Sequence, residues 1–483
     1  MPIPHDVLIL GGGVAGLACA AGLRESGLHV ILVEKLPALC GRAGSFTDPQ
    51  TGDRVDLGPH ILLNEYPNLL ALLDVLGTTD RVVWHEGELI NLLGSHGMTR
   101  IHTHRLPPPL NLVPSMLKAR DVSLRDKLSN ARTVWFAMRL GEREIMQLDD
   151  IAASELLNRF NVSSRFVDWF WRSATRSLLN VPLDECSAAA LMRIFAQLIG
   201  HNDYRFGFPA NGLDELFWPA AASIFEKNNW PLRTHCAALA LSAVGEASIG
   251  AALSDGSTVR ATYCVSCLPP AELLQILPEP WRRSPELRQI DRFQPSPYIS
   301  VYHWFDRKLT PERFWAQVWD PAKLSCDFYD LSNIRPHWPE RGSVIASNIV
   351  HSVGLENHSD EDISKRTLEE IATLAPGVRS ARTLHRRVHR IPMAIPCPHP
   401  GTESIRPATA TSIRGLLLAG DWTRTSLPAS MESAARSGFL AAEHILAAYG
   451  RPRALATLPR ATEGIAGMVR RFAHASRTGL PRE

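Results

Sequence analysis

The chain has 483 residues, of which 45% are hydrophobic and 21% are charged. This composition is typical of a folded globular protein and excludes a disordered chain, a collagen and a small disulfide-stapled domain. At roughly 100–200 residues per domain, the length corresponds to two to four domains. The 51 Lys and Arg residues nearly balance the 49 Asp and Glu residues, and the formal net charge of +2 gives no overall reason to expect a nucleic acid partner.

The cysteines and the apolar segments indicate in which cellular compartment the protein is expected. Eight cysteines are scattered among apolar residues, which is typical of reduced thiols in a cytoplasmic protein. Cys264 and Cys267 have C-x-x-C spacing, but no second pair completes a zinc set, so we expect core residues and no metal site. The N-terminus lacks the basic segment of a secretory signal, and three glycines interrupt the apolar run 7–23. We therefore expect neither export nor an integral membrane protein.

The first predicted elements form a βαβ unit. The apolar run 7–10 is followed by Gly11, Gly13 and Gly16 in G-x-G-x-x-G spacing, and a second apolar run ends in Glu34. In such a unit a pyrophosphate lies at the helix N-terminus, and the acidic residue accepts hydrogen bonds from a ribose. The sequence therefore predicts a dinucleotide site. The expected contacts are Gly11, Gly13, Val14, Ala15, Gly16, Glu34 and Lys35.

A further piece of this domain is predicted in the middle of the chain. A helix is expected over 213–227, and the chain then runs to Cys236 and Ala237, which we assign to the cofactor site. Two alternating strands are expected over 247–253 and 259–263, because Ser254-Asp255-Gly256-Ser257 between them is typical of a hairpin turn.

The C-terminal part supplies a second cofactor motif. A buried strand beginning at Leu416 closes in Gly420 and Asp421, and a helix is predicted from Met431. A βαβ unit combined with such a strand, Gly-Asp pair and helix is typical of flavin disulfide reductase-like folds, which hold FAD. Asp421 would accept from the ribityl chain or brace the pyrophosphate, and the helix start, with Ser430 and Met431, would direct its positive end at the flavin.

The predicted fold class is α/β. A Rossmann-like FAD-binding domain is expected from the discontinuous segments 1–75, 205–290 and 400–450. An α+β substrate domain is expected from 76–204 and 291–399, followed by a basic C-terminal tail over 451–483.

Over most of its length the chain resembles the FAD-dependent amine oxidase and phytoene desaturase superfamily. Segment 39–45 is similar to the family motif L-G-G-R-x-x-S, in which the Arg, here Arg42, approaches the cofactor phosphates, although Cys40 replaces the first glycine. Narrower similarity is to hydroxysqualene dehydroxylases and to the plant and cyanobacterial type of phytoene desaturase. It is carried by segments 56–61, 66–68, 105–110, 178–187, 301–309, 419–423 and 427–433. The resemblance adds Gly41, Gly58, Pro59 and His60 to the expected cofactor contacts.

The resemblance implies hydride transfer at flavin N5 on a C30 or C40 isoprenoid chain. Our leading interpretation is hydroxysqualene dehydroxylation, in which reduced FAD gives hydride to the cation left by the departing hydroxyl and squalene forms. The alternative is phytoene-type desaturation, in which oxidised FAD accepts the hydride. We also weigh a flavin amine oxidase, which needs an aromatic cage and often a Lys near N5, and a flavoprotein without turnover.

Two residues are candidates for catalysis. His60 would either assist hydroxyl departure as an acid or only hydrogen-bond the backbone. Arg193 would face the flavin or bind a quinone electron acceptor, and its simpler interpretation is a solvated helix residue. Seven aromatic residues could line an apolar tunnel, but we favour core packing for most of them: Trp169, Phe170, Trp171, Phe195, Tyr204, Phe206 and Phe208.

Two basic stretches suggest where the substrate comes from. Residues 105–139 carry seven Lys and Arg against two Asp, and residues 451–483 carry seven Arg against two Glu. Both also contain apolar residues, which is typical of peripheral contact with the anionic cytoplasmic face of a membrane. The simpler interpretation is a solvated helix and a disordered tail. No second dinucleotide fingerprint predicts an NAD(P)H site, and the sequence carries no signal for the oligomeric state.

Overall fold

The structure is a computed structural model that describes residues 5–85, 89–245, 248–338 and 340–478. The strands in chain order are β1 His5–Leu10, β2 Val30–Val33, β3 Ser45–Thr47, β4 Arg54–Asp56, β5 Leu62–Leu63, β6 Val82–His85, β7 Ile90–Gly94, β8 Gly97–Ile101, β9 Phe206–Pro209, β10 Leu232–Arg233, β11 Ala238–Val244, β12 Ser248–Leu253, β13 Thr258–Ser266, β14 Pro295–Phe305, β15 Phe314–Gln317, β16 Asp327–Asp330, β17 Val344–Val350, β18 Thr383–Pro396 and β19 Leu416–Leu418. The helices in chain order are α1 Val14–Leu23, α2 Pro67–Leu76, α3 Val113–Lys118, α4 Leu124–Ser129, α5 Ala131–Met138, α6 Glu142–Met146, α7 Ala153–Arg159, α8 Ser164–Phe166, α9 Arg172–Leu179, α10 Ala188–Leu198, α11 Ala220–Lys227, α12 Pro270–Ile276, α13 Glu279–Arg282, α14 Leu331–Ile334, α15 Asp360–Leu374, α16 Thr402–Ile405, α17 Met431–Ala448 and α18 Gly464–Thr478.

The first large sheet has seven strands in the part of the chain that the structure describes, in the order β10-β2-β1-β13-β12-β11, with β19 also pairing with β13. The strands β10, β2, β1, β13 and β19 run parallel, whereas β11 and β12 extend the sheet as an antiparallel meander. The central strand β1 is buried along Val7–Leu10, as expected for a parallel strand that is covered on both faces. Strands from the start, the middle and the end of the chain thus build one α/β layer.

Helices α1 and α17 pack closely against one face of this sheet. Every residue of α1 is buried. A Cβ at Gly16 would lie 2.1 Å from the Gly11 carbonyl oxygen, and one at Gly438 would lie 2.1 Å from the Ala15 carbonyl oxygen. These two glycines therefore allow the glycine-rich turn, α1 and α17 to approach one another.

The second large sheet also has seven strands among the described residues, in the order β18-β14-β17-β16-β15-β7-β8. Its pairings are antiparallel except for β15 with β7, which run parallel. On one face, Trp315 and Phe328 pack with Ile371 of α15. On the other face, Tyr302 and Tyr329 pack towards the small sheet β5-β9-β6. From this second face, the Tyr302 hydroxyl donates to the Asp56 carbonyl oxygen at 2.8 Å.

The predicted helix over 213–227 is wrong in its first part. A 3₁₀ turn covers Leu213–Leu216, and α11 begins only at Ala220, after the cis peptide bond between Trp218 and Pro219. Proline has no N–H to donate within a helix, so the chain breaks there. Residue 247, at the start of the predicted hairpin, lies outside the described residues, and the hairpin strands are β12 and β13.

The basic C-terminal stretch contains a packed helix. Helix α18 contacts α5, and the Ala466 N–H donates to the Pro108 carbonyl oxygen at 3.0 Å. The two basic stretches therefore meet on one side of the molecule. Residues 479–483 of the predicted tail lie outside the described residues. In the described part of the chain, no helix combines the length and the apolar character that crossing a bilayer requires.

Candidate functional site

The glycine-rich turn leaves open space at the start of α1. Gly11 has φ +99°, a conformation that glycine adopts without strain, and Gly13 begins the helix with no side chain capping it. A Cβ placed on Gly13 would meet no protein atom within 4 Å. An open helix N-terminus fits a pyrophosphate, because its N–H groups and dipole favour an anion. Val14, Ala15 and Gly16 form the first turn of this helix.

Glu34 lies against this turn at the end of β2. Its buried carboxylate accepts from the Gly12 N–H at 2.7 Å and from the Leu36 N–H at 2.8 Å. The Cys236 N–H donates to the Glu34 carbonyl oxygen at 2.9 Å, and the Ala237 N–H donates to Ser254. The middle segment is thus brought beside the acidic residue. Lys35 instead forms an exposed ion pair with Glu272.

Cys40, which stands where the family motif has a glycine, adopts an unusual backbone conformation. Cys40 adopts φ +86°, in the left-handed region, and its N–H donates to the Gly12 carbonyl oxygen at 2.8 Å. A glycine would adopt this conformation without strain, which explains the glycine of the family motif. Burial raises the pKa of the Cys40 thiol, so the side chain is a neutral packing residue. Gly41 follows with φ +54°.

Arg42 joins the N-terminal and C-terminal cofactor motifs. Its guanidinium donates to the two carboxylate oxygens of Asp421 at 2.7 and 3.0 Å, and to the Ala394 carbonyl oxygen at 2.8 Å. Asp421 is buried and follows Gly420, which has φ +138°. The resemblance places Arg42 near the cofactor phosphates, and the C-terminal motif predicts Asp421 near the ribityl chain or the pyrophosphate. The structure brings these two side chains into direct contact.

A cavity of about 330 Å³ is lined by residues from the N-terminal and C-terminal cofactor motifs and by residues of the second large sheet. The expected cofactor residues that line it are Arg42, Gly58, Pro59, His60 and Ser430. The opposite wall is largely apolar and aromatic, and includes Leu89, Tyr204, Phe206, Tyr298, Tyr329, Val350 and Ile391. Ser430 caps α17, since its Oγ accepts from the Ser433 N–H at 3.2 Å, and Met431 begins that helix. A cavity of this volume with a largely apolar lining is suited to bind an organic molecule.

His60 occupies the wall of this cavity. Its Nδ1–H donates to the Gly58 carbonyl oxygen at 2.6 Å. Burial lowers the pKa of His60, so the ring is neutral at pH 7 and its Nε2 is an acceptor. A Cβ at Gly58 would lie 3.0 Å from the Tyr298 ring, which places this turn directly against the second sheet.

Arg193 is buried, with 3% of its surface exposed, and it also lines the cavity. It forms ion pairs with Glu403 and, at 2.7 Å, with Glu142. Glu403 also pairs with Arg406 at 3.0 Å, and Arg406 donates to the Asp421 carbonyl oxygen at 2.7 Å. Arg193 is therefore not a solvated helix residue, because this network ties it to the cofactor motif.

The aromatic set divides between core and cavity. Core packing is confirmed for Trp169, Phe170, Trp171, Phe195 and Phe208, which are buried in apolar clusters. Tyr204 and Phe206 line the cavity.

Asp327 is a cavity residue that the sequence reasoning missed. It is 9% exposed, and within the described part of the chain its Oδ1 has no hydrogen-bond partner. Burial raises the pKa of Asp327 to about 7. The signal that could have found it is an acidic residue within the short strand Asp-Phe-Tyr-Asp, flanked by buried aromatic side chains.

Known proteins resemble the chain over nearly its whole length. Residues 14–446 match the flavin containing amine oxidoreductase family. The chain is 28% identical to the 15-cis-phytoene desaturase of Synechococcus elongatus over 457 residues, which covers 91% of this chain and 96% of the relative. It is also 28% identical to the chloroplastic/chromoplastic 15-cis-phytoene desaturase of Solanum lycopersicum over 461 residues, covering 92% of this chain and 78% of the relative.

The fold is also found among solved structures. A triple mutant of putrescine oxidase superposes with a TM-score of 0.71 at 17% identity, covering 92% of this chain and 99% of that one. The open helix N-terminus, the acidic residue at the end of β2 and the Gly420-Asp421 turn fit the FAD of this fold. The chain therefore belongs to the flavin containing amine oxidoreductase family and is an FAD-dependent oxidoreductase.

Proposed function

We propose that the protein is a desaturase of long isoprenoid chains, of the phytoene type. The observation that carries the proposal is the cavity, because it joins the expected flavin residues to a largely apolar, aromatic wall. Both relatives named above are phytoene desaturases, which favours desaturation over the hydroxysqualene dehydroxylation that the motifs placed first. No lysine is among the described residues that line the cavity, which weighs against an amine oxidase of the lysine-containing type.

The protein residues have distinct tasks in this reaction. Bound FAD supplies the hydride acceptor at its N5 atom. The turn at Gly11–Gly16 and Glu34 would hold its dinucleotide part, while Arg42 and Asp421 would brace the junction between the two motifs. Tyr204, Phe206 and the other apolar residues of the cavity would bind the hydrocarbon and exclude water from it.

The proposed electron acceptor is a quinone. The sequence has no second dinucleotide fingerprint that would bind NAD(P)⁺. Arg193 lines the cavity, and within the described residues its Nε–H has no hydrogen-bond partner. A quinone carbonyl is an acceptor that this buried N–H could satisfy.

We propose that the substrate enters from an anionic membrane. Exposed apolar side chains cover one surface, which we call the lipid-facing surface; it consists of Leu106, Leu110, Val113, Leu117, Leu124, Leu128 and Trp135 with Met468 and Phe472 of α18. Exposed cations accompany them at Arg105, Lys118, Arg120, Arg125, Arg132 and Arg139. Apolar residues among cations suit the boundary of an anionic leaflet.

We propose that the substrate passes from the lipid-facing surface to the cavity. Leu112 lies between exposed Leu110 and Val113, and it packs against the cluster that contains the cavity residues Leu89 and Phe206. A C40 hydrocarbon is nearly insoluble in water, so a route from bilayer to cavity along this cluster would spare it contact with water.

The experiment uses the FAD-loaded protein with anionic liposomes that contain phytoene and a quinone. Chromatography is expected to detect desaturated products that depend on both the protein and the quinone. A parallel sample receives hydroxysqualene and chemically reduced protein. Squalene from this second sample, with no desaturated product from the first, would overturn the proposal in favour of dehydroxylation.

A further inference from the structure

Asp327 occupies a defined position in the cavity wall. It opens β16, where it pairs with Ala316 of β15 on one side and Asn348 of β17 on the other. The side chain is buried, lines the cavity, and receives a hydrogen bond from the Asn348 amide. Its Oδ1 has no hydrogen-bond partner in the described chain. A buried acceptor without a partner calls for an explanation, and for one in a cavity wall a role towards a bound molecule is such an explanation.

Each other charged side chain of the cavity wall pairs with an opposite charge or accepts hydrogen bonds, although in the described chain the Arg193 Nε–H has no partner. Two cations have acidic partners, since Arg42 pairs with Asp421 and Arg193 pairs with Glu403. Two acidic residues have donors, since Glu65 pairs with Arg460 at 2.8 Å and Glu432 accepts from Asn68 and from the Leu69 N–H at 2.8 Å. Among the described lining residues, Asp327 alone is an acid with neither a cation nor a full set of donors.

The titratable groups that face Asp327 are neutral at pH 7. Tyr298 of β14 and Tyr329 of β16 line the same wall, and burial raises the pKa of both phenols. The adjacent Cys326 thiol has its pKa raised to about 12 by burial, and it contacts Ser177 of α9. Ala316 of β15 and Asn348 of β17 do not titrate. None of these groups is a cation, and Arg176 of α9, which acts on the pKa of Cys326, does not act on the pKa of Asp327.

We propose that Asp327 is the catalytic base of the desaturation. The inference rests on the proposed function and adds the proton acceptor that the reaction needs. One carbon of the substrate loses hydride, with its electron pair, to FAD. The C–H bond of the adjacent carbon breaks, its electron pair forms the new double bond, and its proton passes to the Asp327 carboxylate and then to water. The two electrons of the hydride would pass to bound FAD and from it to a quinone.

A carboxylate without a counter-ion suits this task for two reasons. Its charge stabilises the positive charge that develops on the substrate chain as hydride leaves. Burial also raises the pKa of Asp327 to about 7, so the carboxylate is a stronger base than an exposed aspartate. The base must be ionised to act, so the rate is expected to rise as the pH increases through about 7 and to level off above it.

The test compares wild type with Asp327→Asn, Asp327→Glu and the exposed control Asp320→Asn, all loaded with FAD. The rate of anaerobic flavin bleaching by phytoene is measured from pH 5.5 to 9. We expect Asp327→Asn to bleach at least about 100-fold more slowly and to lose the pH dependence near 7. We expect Asp327→Glu to retain a pH-dependent rate and Asp320→Asn to match wild type. Flavin absorbance per protein verifies that each variant holds FAD.

A second readout is independent of turnover. Infrared difference spectra of the holoprotein between pH 6 and pH 8 are expected to contain the C=O stretch of a protonated carboxyl, and Asp327→Asn is expected to lack it. Wild-type bleaching rates in Asp327→Asn, with the same pH dependence, would overturn the inference while leaving the proposed function intact. If phytoene fails to bleach the wild type at every pH, the proposed function itself is overturned.

Discussion

Arg42 and Asp421 form a bidentate ion pair across a sequence separation of 379 residues. Arg42 lies in the turn after β2 and Asp421 lies in the turn after β19. The ion pair therefore joins the N-terminal cofactor motif to the C-terminal one. Asp421 is buried, and its carboxylate would lack a cation if Arg42 were replaced.

A double-mutant cycle tests this pair. Arg42→Met, Asp421→Asn and the double variant are unfolded in urea in the absence of FAD. We expect each single variant to lower the free energy of unfolding, with a coupling of about 1–2 kcal/mol, because the two side chains act as a unit. Lys35→Met removes an exposed pair with Glu272 and is expected to change stability by less than about 0.5 kcal/mol. Additive effects at Arg42 and Asp421 would contradict the coupling.

Two glycine variants separate cofactor binding from folding. Gly13→Val places its side chain in open space, so we expect the apoprotein to keep its melting temperature and to lose FAD affinity at least about 10-fold. Gly16→Ala forces a Cβ against the Gly11 carbonyl, so we expect about 1–3 kcal/mol of destabilisation even without FAD. Calorimetry and FAD titration measure both quantities. A Gly13→Val protein that binds FAD normally would place the pyrophosphate elsewhere.

The buried Glu403 gives a prediction with a pH dependence. Burial acts to raise the pKa of Glu403, but Arg406 and Arg193 outweigh it, and the pKa lies below its ordinary value. Such a carboxylate stabilises the fold above the pKa it has in the unfolded chain, and this stability is lost as the pH falls through the folded pKa. Glu403→Gln is therefore expected to cost about 3 kcal/mol at pH 7 and progressively less in acid.

Urea unfolding at pH 7 and pH 3.5 measures this difference. Glu155→Gln removes an exposed pair with Arg159 and serves as the control, with an expected change of less than about 0.5 kcal/mol at either pH. A loss for Glu403→Gln that is equal at both pH values would contradict the ionic role of Glu403.

The lipid-facing surface is tested by liposome sedimentation. The wild type is expected to pellet with anionic vesicles at low salt and less so at high salt, since screening weakens the attraction of its cations. The double variant Leu117→Asp, Phe472→Asp is expected to remain in the supernatant, because both side chains are exposed on that surface, at 56% and 61%. Leu384→Asp, on β18 and 52% exposed, is the matched control and should pellet normally. Equal pelleting of all three proteins would place membrane contact elsewhere.

Local patterns made much of the cofactor domain predictable. The turn at Gly11–Gly16, Glu34 and the Gly420-Asp421 turn are encoded by residues that are close in sequence, and each kind of spacing has a fixed geometric meaning. The predicted helix over 213–227 is wrong in its first part because Pro219 has no N–H to donate within a helix, so the regular helix begins only at Ala220.

Features that depend on packing between distant parts of the chain could not be predicted from local sequence patterns. The contact between α18 and α5 unites two basic stretches that are far apart in the chain. The role of Asp327 depends on which face of β16 meets the cavity, and its raised pKa depends on burial by several strands. The network around Arg193 likewise needs Glu403, which no local motif links to it.

Anaerobic spectroscopy of the oxidised, FAD-loaded protein mixed with phytoene in detergent micelles tests the proposed desaturation most directly. We expect the oxidised flavin band to bleach, with one double bond formed for each flavin reduced. A flavin that stays oxidised with phytoene, while the chemically reduced protein is reoxidised by hydroxysqualene and squalene appears, would contradict it.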